Sequence, residues 1–192
     1  MRPLLLASTS TYRRALLARL SLPFDVVAPD VPEEELANEP PATRARRLAI
    51  AKAQAVAQRH PEAIVLGSDQ VASVGARVLH KPAVALSCRE QLTALSGNSA
   101  NFHTACAVIG ERARCNLIHV DITTVVFRAL TKDEIDRYIE RDRPFDCAGG
   151  FKAESLGIAL FERIDSSDPT ALIGLPLIWL ASALRRCGYS VP

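Results

Sequence analysis

The sequence predicts an α/β fold made of two lobes with a cleft between them. Short apolar runs that end in polar residues alternate with segments whose apolar residues recur every three or four positions, as in buried strands and amphipathic helices. Two neighbouring segments rich in β-branched residues predict a hairpin in the middle of the chain. The length of 192 residues fits one large domain, or two small lobes that share a core.

The first half of the chain alternates predicted strands with predicted helices. Tyr12, Leu16 and Leu20 lie four residues apart, which indicates one apolar helix face. The segment 32–41 holds three prolines and four glutamates, which predicts a loop. In order, the predicted elements are a strand at 4–7, a helix from about residue 11, the loop at 32–41, a helix at 43–59, a strand at 63–74 and a short hairpin partner from residue 78.

The second half is predicted from caps, turns and β-branched runs. Thr131 followed by Glu134 is a capping box, so a helix is expected from there to about residue 141. Gly97 is suited to the C-terminal exit of a helix. The remaining predicted elements are a helix at 87–95, antiparallel strands at 102–110 and 117–127, a loop at 144–152, a strand at 156–163, a polar turn at 165–169 and a final helix at about 174–186.

Composition and charge exclude several classes of protein. Hydrophobic residues make up 48% and charged residues 23%, as in an ordinary globular domain. The 23 basic and 21 acidic residues leave a formal charge of +2, whereas duplex-binding proteins are usually more basic. The apolar run at 171–184 carries no charge, but it is interrupted by Gly174 and Pro176 and is shorter than the ~20 residues of a membrane span. We therefore expect no nucleic-acid partner and no membrane span.

The N-terminus and the cysteines indicate the cytoplasm. The apolar run at 4–7 is too short for a signal peptide, whose apolar region takes ~7–15 residues. The five cysteines include no C-x-x-C pair, and the four histidines include no H-x-x-x-H pair. Neither a zinc site nor a disulfide framework is expected, and the thiols fit a reducing compartment.

The strand-to-helix junction at 8–14 is a candidate phosphate site. It reads Ser-Thr-Ser-Thr-Tyr-Arg-Arg. Unpaired N–H groups at the start of a helix favour an anion, and hydroxyl and guanidinium groups add donors for it. A helix cap on Ser10 or Thr11 is the simpler alternative, but it leaves the other hydroxyls and both arginines unexplained.

A carboxylate and two lysines complete the candidate site. Asp69 ends an apolar strand, where α/β folds place catalytic groups or metal ligands, although a turn residue is the alternative. Lys52 lies among apolar helix positions, which a snorkelling lysine would also explain. Lys81 precedes a proline in what is otherwise a turn, and Glu33 begins an acidic run that is either a solvated loop or a source of one metal ligand. Cations suit a polyphosphate, and carboxylates suit a hard divalent cation such as Mg²⁺. The P-loop pattern is absent.

The sequence resembles the Maf family of nucleotide pyrophosphatases over nearly its whole length. Each matching motif is weak by itself, but their order and spacing together are specific. The motifs lie at 6–14, 51–53, 67–70, 81–82, 96–97, 148–152 and 168–176.

The resemblance implies an activity, a fold and a set of site residues. The family hydrolyses nucleoside triphosphates to a monophosphate and diphosphate with a divalent cation, Mg²⁺ or Mn²⁺. Its two-lobed mixed sheet with flanking helices and a central cleft is similar to inosine-triphosphate pyrophosphatases and is often dimeric, so a nucleotide substrate and a homodimer are expected. By resemblance, Asp69 accepts the proton of the attacking water and binds the metal with Glu33. The implied phosphate-binding residues are Ser8, Ser10, Arg13, Lys52 and Lys81.

The motif Ser68-Asp69-Gln70 resembles the branch of the family that acts on 7-methyl-GTP. In that branch Tyr12, Gln70 and Glu154 set the choice of base. Tyr12 stands where a larger Trp is expected. His80 stands where the family commonly has Gly.

Three alternatives to a 7-methyl-GTP pyrophosphatase remain at this point. One is a dTTP or UTP pyrophosphatase of the same family. Another is a nucleotide-binding regulator of division arrest with little turnover. The third is a nucleic-acid binder that would use a set of arginines, namely Arg13, Arg14, Arg44, Arg46 and Arg47.

Overall fold

A computed structural model describes residues 2–75 and 77–192. Strands and helices alternate along most of the chain, as the apolar periodicity predicts. In chain order they are β1 Leu4–Ala7, α1 Thr11–Ala18, β2 Asp25–Val27, α2 Pro41–Arg59, β3 Ile64–Val74, β4 Arg77–Leu79, α3 Ala85–Leu95, β5 Ser99–Gly110, β6 Cys115–Phe127, α4 Lys132–Asp142, β7 Phe161–Asp165 and α5 Leu177–Arg186.

The strands form a mixed sheet in the order β2-β1-β3-β5-β6-β7, and β4 pairs with β3. Strand β1 runs parallel to both neighbours, and its register with β3 goes from Leu4 opposite Ile64 to Ala7 opposite Gly67. The β3–β4 and β6–β7 pairs are antiparallel. A four-residue turn at 111–114 joins β5 to β6, which only an antiparallel pair permits. The predicted α/β class is confirmed.

The chain divides into two compact units, and strands β3, β5 and β6 each contribute to both. The first unit holds residues up to Gln70, His103–Asp121 and Asp168–Pro192. Its core contains fully buried leucines from β1, α1, β3 and α5. Burial of each such side chain contributes roughly 1.5–3 kcal/mol.

The second unit holds Val71–Phe102 and Ile122–Ser167. Four phenylalanines pack edge to face with ring centroids 5.0–5.3 Å apart, namely Phe102, Phe127, Phe151 and Phe161. Gly150 has a φ of +72°, and a Cβ there would lie 2.8 Å from the Sγ of Cys88. Packing therefore accounts for the glycines of the motif at 148–152. The central cleft stays a prediction.

The structure corrects two local predictions and adds one strand. The predicted strand at 156–163 is a 3₁₀ turn at Leu156–Leu160 followed by β7. The last helix begins at Leu177 rather than residue 174, since Gly174 has a φ of +128° and Pro176 is the N-cap. Strand β2 was not predicted, because it has only three residues and no buried face.

The sequence predicts no disulfide framework, but the structure contains one disulfide bond. Cys115 at the start of β6 is bonded to Cys187 after α5, with their Cα atoms 6.2 Å apart. Cys88 and Cys106 are buried thiols. The partners are separated by 72 residues, so the spacing rules for adjacent cysteines give no sign of the bond.

None of the helices within residues 2–75 and 77–192 has the length and apolar character needed to cross a membrane. The longest, α2, has 19 residues and carries charges along its length.

Candidate active site

The candidate site begins where two neighbouring parallel strands reach their carboxyl ends. Strand β1 ends at Ala7, opposite Gly67 of β3. Ser8 therefore leaves the sheet beside the segment of β3 that carries Ser68 and Asp69. Catalytic and ligand-binding groups of α/β sheets commonly lie at this edge.

The start of α1 presents donors at this edge. Ser10 is the N-cap, and its hydroxyl accepts a hydrogen bond from the backbone N–H of Arg13 at 3.3 Å. The Ser8 hydroxyl accepts from the backbone N–H of Ser10 at 3.1 Å. No acidic residue lies in the first turn of α1. The simple cap on Ser10 is thus present, and the positive end of the helix dipole still favours an anion.

The guanidinium group of Arg13 is anchored through its Nε, which leaves its two terminal nitrogens available to a ligand. Its Nε donates to the backbone oxygen of Gly174 at 3.2 Å, and the Ser68 hydroxyl donates to the same oxygen at 2.8 Å. Within the described residues, neither terminal nitrogen of Arg13 has a hydrogen-bond partner. Burial lowers the pKa of Arg13, and the negative charges of Asp69 and Glu33 act in the opposite direction. An arginine in this position supplies a directed pair of terminal donors for phosphate.

Lys52 lies between two carboxylates. Its Nζ is 2.6 Å from Oδ1 of Asp69 and 2.7 Å from Oε1 of Glu33. The Lys52 and Asp69 side chains are only 7% and 10% exposed, whereas that of Glu33 is 57% exposed. The snorkelling interpretation of Lys52 is therefore wrong, because a buried partner holds its ammonium group.

Glycine lets helix α2 come close enough to β3 for this pair to form. A Cβ at Gly67 would lie 2.2 Å from the backbone oxygen of Ala49 and 2.6 Å from the backbone nitrogen of Ala53. Any side chain at position 67 would push α2 away from the strand. Gly67 thereby keeps Lys52 within reach of Asp69.

The acidic loop before α2 is held by arginines of that helix. Arg47 makes two bonds of 2.7 Å to the carboxylate of Glu39, and this contact holds the pKa of Glu39 below its usual range. Arg44 pairs with Glu35 and donates to the backbone oxygen of Glu33 at 3.3 Å. These contacts keep Glu33 beside Lys52. They also occupy two of the arginines that the nucleic-acid alternative requires.

The two carboxylate oxygens of Asp69 have different environments. Oδ1 is held by Lys52, and no described residue donates to Oδ2. The buried side-chain atoms without a partner lie elsewhere, on Arg44, Gln91 and His103, so Oδ2 is open to solvent. An acceptor oriented in this way can take a proton from water.

Two carboxylates at this site fit a divalent cation that is shared with a substrate. No group of three or more His, Cys, Asp or Glu side chains that could hold a metal occurs in residues 2–75 and 77–192. Mg²⁺ is commonly bound by one or two carboxylates together with substrate phosphates and water. The open Oδ2 of Asp69 and the exposed carboxylate of Glu33 match that donor set.

The predicted specificity residues fall in different parts of the chain. Tyr12 is half-buried on α1, and Gln70 follows Asp69 on β3. Glu154 belongs to the second unit and is exposed, as are Lys81 and His80. The structure brings together Ser8, Ser10, Arg13, Glu33, Lys52 and Asp69 within the first unit, whereas the roles of Lys81 and Glu154 stay predictions.

Sequence reasoning missed the turn at 168–176 as part of this site. The residue types of this motif give no sign of its role, because the Gly174 group that holds Arg13 and Ser68 is a backbone oxygen. The tightly spaced Asp168 and Thr170, which bond to each other, were the available signal for an ordered turn.

Two solved structures align with about two thirds of this chain. The Ham1 protein of Staphylococcus aureus aligns with a TM-score of 0.46 and 16% identity, over 66% of this chain and 72% of that chain. A nucleoside-triphosphatase described as a dITP/XTP pyrophosphatase from Mycobacterium abscessus aligns with a TM-score of 0.43 and 20% identity, over 67% and 75% of the two chains.

Curated relatives match nearly the full length. A protein of Xanthomonas axonopodis pv. citri (strain 306) named 7-methyl-GTP pyrophosphatase is 51% identical, over 98% of both chains. A protein of the same name from Aromatoleum aromaticum is 49% identical, over 98% of this chain and 97% of its own. Another from Pseudomonas putida is 47% identical, over the whole of both chains. The family described as Maf-like protein matches residues 3–187. The match over residues 3–187 and the relatives of nearly full length show that the chain belongs to the Maf-like family.

Proposed function

We propose that this protein is a nucleotide pyrophosphatase that hydrolyses 7-methyl-GTP to 7-methyl-GMP and diphosphate. It would act in the cytoplasm, as a homodimer, and remove a modified nucleotide from the pool. The observation that carries the reaction is the Lys52–Asp69 contact, which holds one carboxylate oxygen and leaves the other open. The substrate is supported by relatives of about half identity that bear this name.

The triphosphate binds at the start of α1. The positive end of the α1 dipole attracts the triphosphate, and the terminal nitrogens of Arg13 donate to phosphate oxygens. Lys52 adds a positive charge from α2, and Lys81 is proposed to add another from the second unit. Phosphoryl transfer depends mainly on positioning and charge stabilisation, which these groups supply.

Asp69 activates the attacking water. Its Oδ2 takes one proton from a water molecule while the water oxygen forms a bond to the α-phosphorus. The bond between the α-phosphorus and the oxygen that bridges to the β-phosphorus breaks, and that oxygen leaves with diphosphate. The contact between Lys52 and Oδ1 keeps the carboxylate oriented during the step.

Glu33 and Asp69 are the residues that would hold a divalent cation. When bound, Mg²⁺ or Mn²⁺ would supply charge neutralisation at the phosphate oxygens. The placement of Glu33 depends on the loop contacts made by Arg44, which donates to the backbone oxygen of Glu33.

The base is selected through its charge. Methylation at N7 makes guanine cationic, and a cation over an aromatic face is favoured by ~0.5–2 kcal/mol. Tyr12 is proposed to supply that face, with a smaller ring system than Trp. Glu154 is proposed to neutralise the charge and to accept from the N–H groups of the base.

Diphosphate release from a nucleotide panel tests this proposal. The panel holds 7-methyl-GTP, GTP, UTP, dTTP, CTP and ITP, each with Mg²⁺ or Mn²⁺. We expect the highest kcat/KM with 7-methyl-GTP. Faster release from UTP or dTTP would contradict the substrate and retain the reaction. Tight nucleotide binding without any release would contradict the reaction and favour a regulator.

A further inference from the structure

The side-chain amide of Gln70 is held in one orientation by three acceptors. Its Nε2 donates to the backbone oxygens of Ala171 and Leu172, at 3.1 and 2.9 Å, and to the hydroxyl of Thr104 at 2.8 Å. Backbone oxygens only accept hydrogen bonds. An exchange of Nε2 and Oε1 would bring three oxygens against the Gln70 oxygen, so these partners fix which end of the amide faces inward.

Thr104 has a specific part in this arrangement. It is fully buried on β5, and its hydroxyl donates to the backbone oxygen of Ala171 at 2.9 Å. Because its one hydrogen is directed at Ala171, the hydroxyl presents a lone pair to Gln70. Valine has nearly the same shape as threonine but offers no acceptor.

The turn that carries the two backbone oxygens is itself fixed by buried side chains. Oδ1 of Asp168 accepts from the backbone N–H of Thr170 at 2.9 Å and from its hydroxyl at 2.6 Å. The Thr170 hydroxyl also accepts from the backbone N–H of Leu177 at 2.9 Å, and Oδ2 of Asp168 accepts from that of Ile178 at 2.7 Å. These bonds therefore fix the backbone oxygens of Ala171 and Leu172 in position to accept from Gln70.

The outward end of Gln70 is an acceptor. No described residue donates to Oε1 of Gln70, and this atom is not one of the buried atoms without a partner. Both N–H groups of the amide are used within the protein. A ligand that meets Gln70 therefore meets an oxygen.

We propose that Thr104 is a positioning residue for base selection, which holds Gln70 so that its Oε1 accepts from an N–H group of the substrate's base. The inference rests on the proposed function. It assigns to the base an N–H donor, such as guanine carries at N1 and on its amino group, at the position that faces Gln70. Without the Thr104 hydroxyl, the amide keeps its two backbone acceptors but loses its third contact, so Oε1 is held less firmly toward such a donor.

A double-mutant cycle tests whether Thr104 acts through Gln70. We expect Thr104→Val to lower kcat/KM for 7-methyl-GTP about 3- to 10-fold, the range for one neutral hydrogen bond, mainly through KM. Thr104→Ser, which keeps the hydroxyl, restores most of it. In a Gln70→Met background, Thr104→Val has no further effect. Thr123→Val is the matched control, because Thr123 is also fully buried and its hydroxyl contacts Ser166 instead.

Nuclear magnetic resonance follows the amide without reference to turnover. The Gln70 side-chain NH₂ protons should exchange slowly with solvent in the wild-type protein and in Thr104→Ser, and quickly in Thr104→Val. Equal exchange in all three proteins, or equal losses from Thr104→Val with and without Gln70, overturns the inference while the proposed function stands. If the wild-type protein releases no diphosphate from 7-methyl-GTP, the proposed function fails, and the same cycle on the nucleotide it does hydrolyse decides the inference.

Discussion

Helices α1 and α4 begin with the same kind of cap and carry opposite charges at the same position. In α4, the side chain of Thr131 accepts from the backbone N–H of Glu134, and Glu134 accepts from the backbone N–H of Thr131. In α1, Ser10 accepts from the backbone N–H of Arg13. Three residues after the cap stands a carboxylate in α4 and a guanidinium in α1.

The two helices differ in whether a carboxylate of the helix itself lies at the N-terminus. The start of α4 holds its own anion, since Glu134 bonds to Thr131 and its Oε1 is 2.8 Å from Nη1 of Arg128. The first turn of α1 has no acidic residue, so the positive end of its dipole and the terminal nitrogens of Arg13 favour an anion from outside. We therefore expect an external anion at the start of α1 and none at the start of α4.

Substitution of Asp69 and of Glu134 should change kcat by the most unequal amounts. We expect Asp69→Asn to lower kcat at least about 10²-fold, the lower end for loss of a general base. Glu134→Gln should leave kcat unchanged, since Glu134 bonds to Thr131 and Arg128, which are not residues of the candidate site. Steady-state kinetics with both variants measures this, and circular dichroism checks folding. Near-normal turnover in well-folded Asp69→Asn would contradict the assignment.

A charge reversal at Arg13 should weaken phosphate binding at the start of α1. Arg13→Glu would give α1 the same pattern as α4, with a carboxylate three residues after its cap. We expect kcat/KM for 7-methyl-GTP to fall about 10²-fold, because charge-assisted hydrogen bonds to phosphate are lost. Arg14→Glu is the matched control, since Arg14 is exposed and adjacent. Equal losses in the two variants would show that overall charge, rather than Arg13, matters.

Removal of each cap should separate helix stability from substrate binding. Ser10→Ala and Thr131→Ala should each lower the free energy of unfolding by about 1 kcal/mol. Only Ser10→Ala should also raise KM, by a few-fold, because Ser10 orders the turn that carries Arg13. Urea denaturation and kinetics on both variants measure the two quantities. A KM unchanged in Ser10→Ala would mean that the cap does not shape the phosphate site.

The smallest expected effect is a pH dependence at α4. Hydrogen bonds from the Thr131 backbone and Arg128 lower the pKa of Glu134 from 4.5 to about 2. A lowered pKa means that the stabilisation is complete above the unfolded-state pKa and is lost as the pH falls from about 4.5 towards 2. The difference in Tm between wild type and Glu134→Gln should shrink over that window. A difference that stays constant from pH 6 to pH 2.5 would contradict this.

The features predicted from sequence depend on local signals. Strand β1, strand β3 and the Thr131 capping box each follow from a few adjacent residues, and all are confirmed. The segment Leu156–Leu160 is equally apolar but forms a 3₁₀ turn. A Cβ at Gly157 would lie 2.3 Å from the backbone oxygen of Lys152, so the chain folds back there instead of extending.

Only those parts of the site whose chemistry lies in side chains could be predicted from the sequence. Asp69, Lys52 and Arg13 could be chosen by residue type and by their place at strand and helix ends. The backbone oxygen of Gly174 has no signature in sequence, although it orients Arg13 and Ser68. Thr104 lies 34 residues from Gln70, and only the folded chain brings them together.

Hydrolysis of 7-methyl-GTP in ¹⁸O-labelled water tests the central claim most directly. The claim is that Asp69 delivers water to the α-phosphorus of a nucleotide bound at the start of α1. The account predicts that the label appears in 7-methyl-GMP and not in diphosphate, and that Asp69→Asn slows its appearance at least about 10²-fold. Label in diphosphate, or release of orthophosphate in its place, would contradict it.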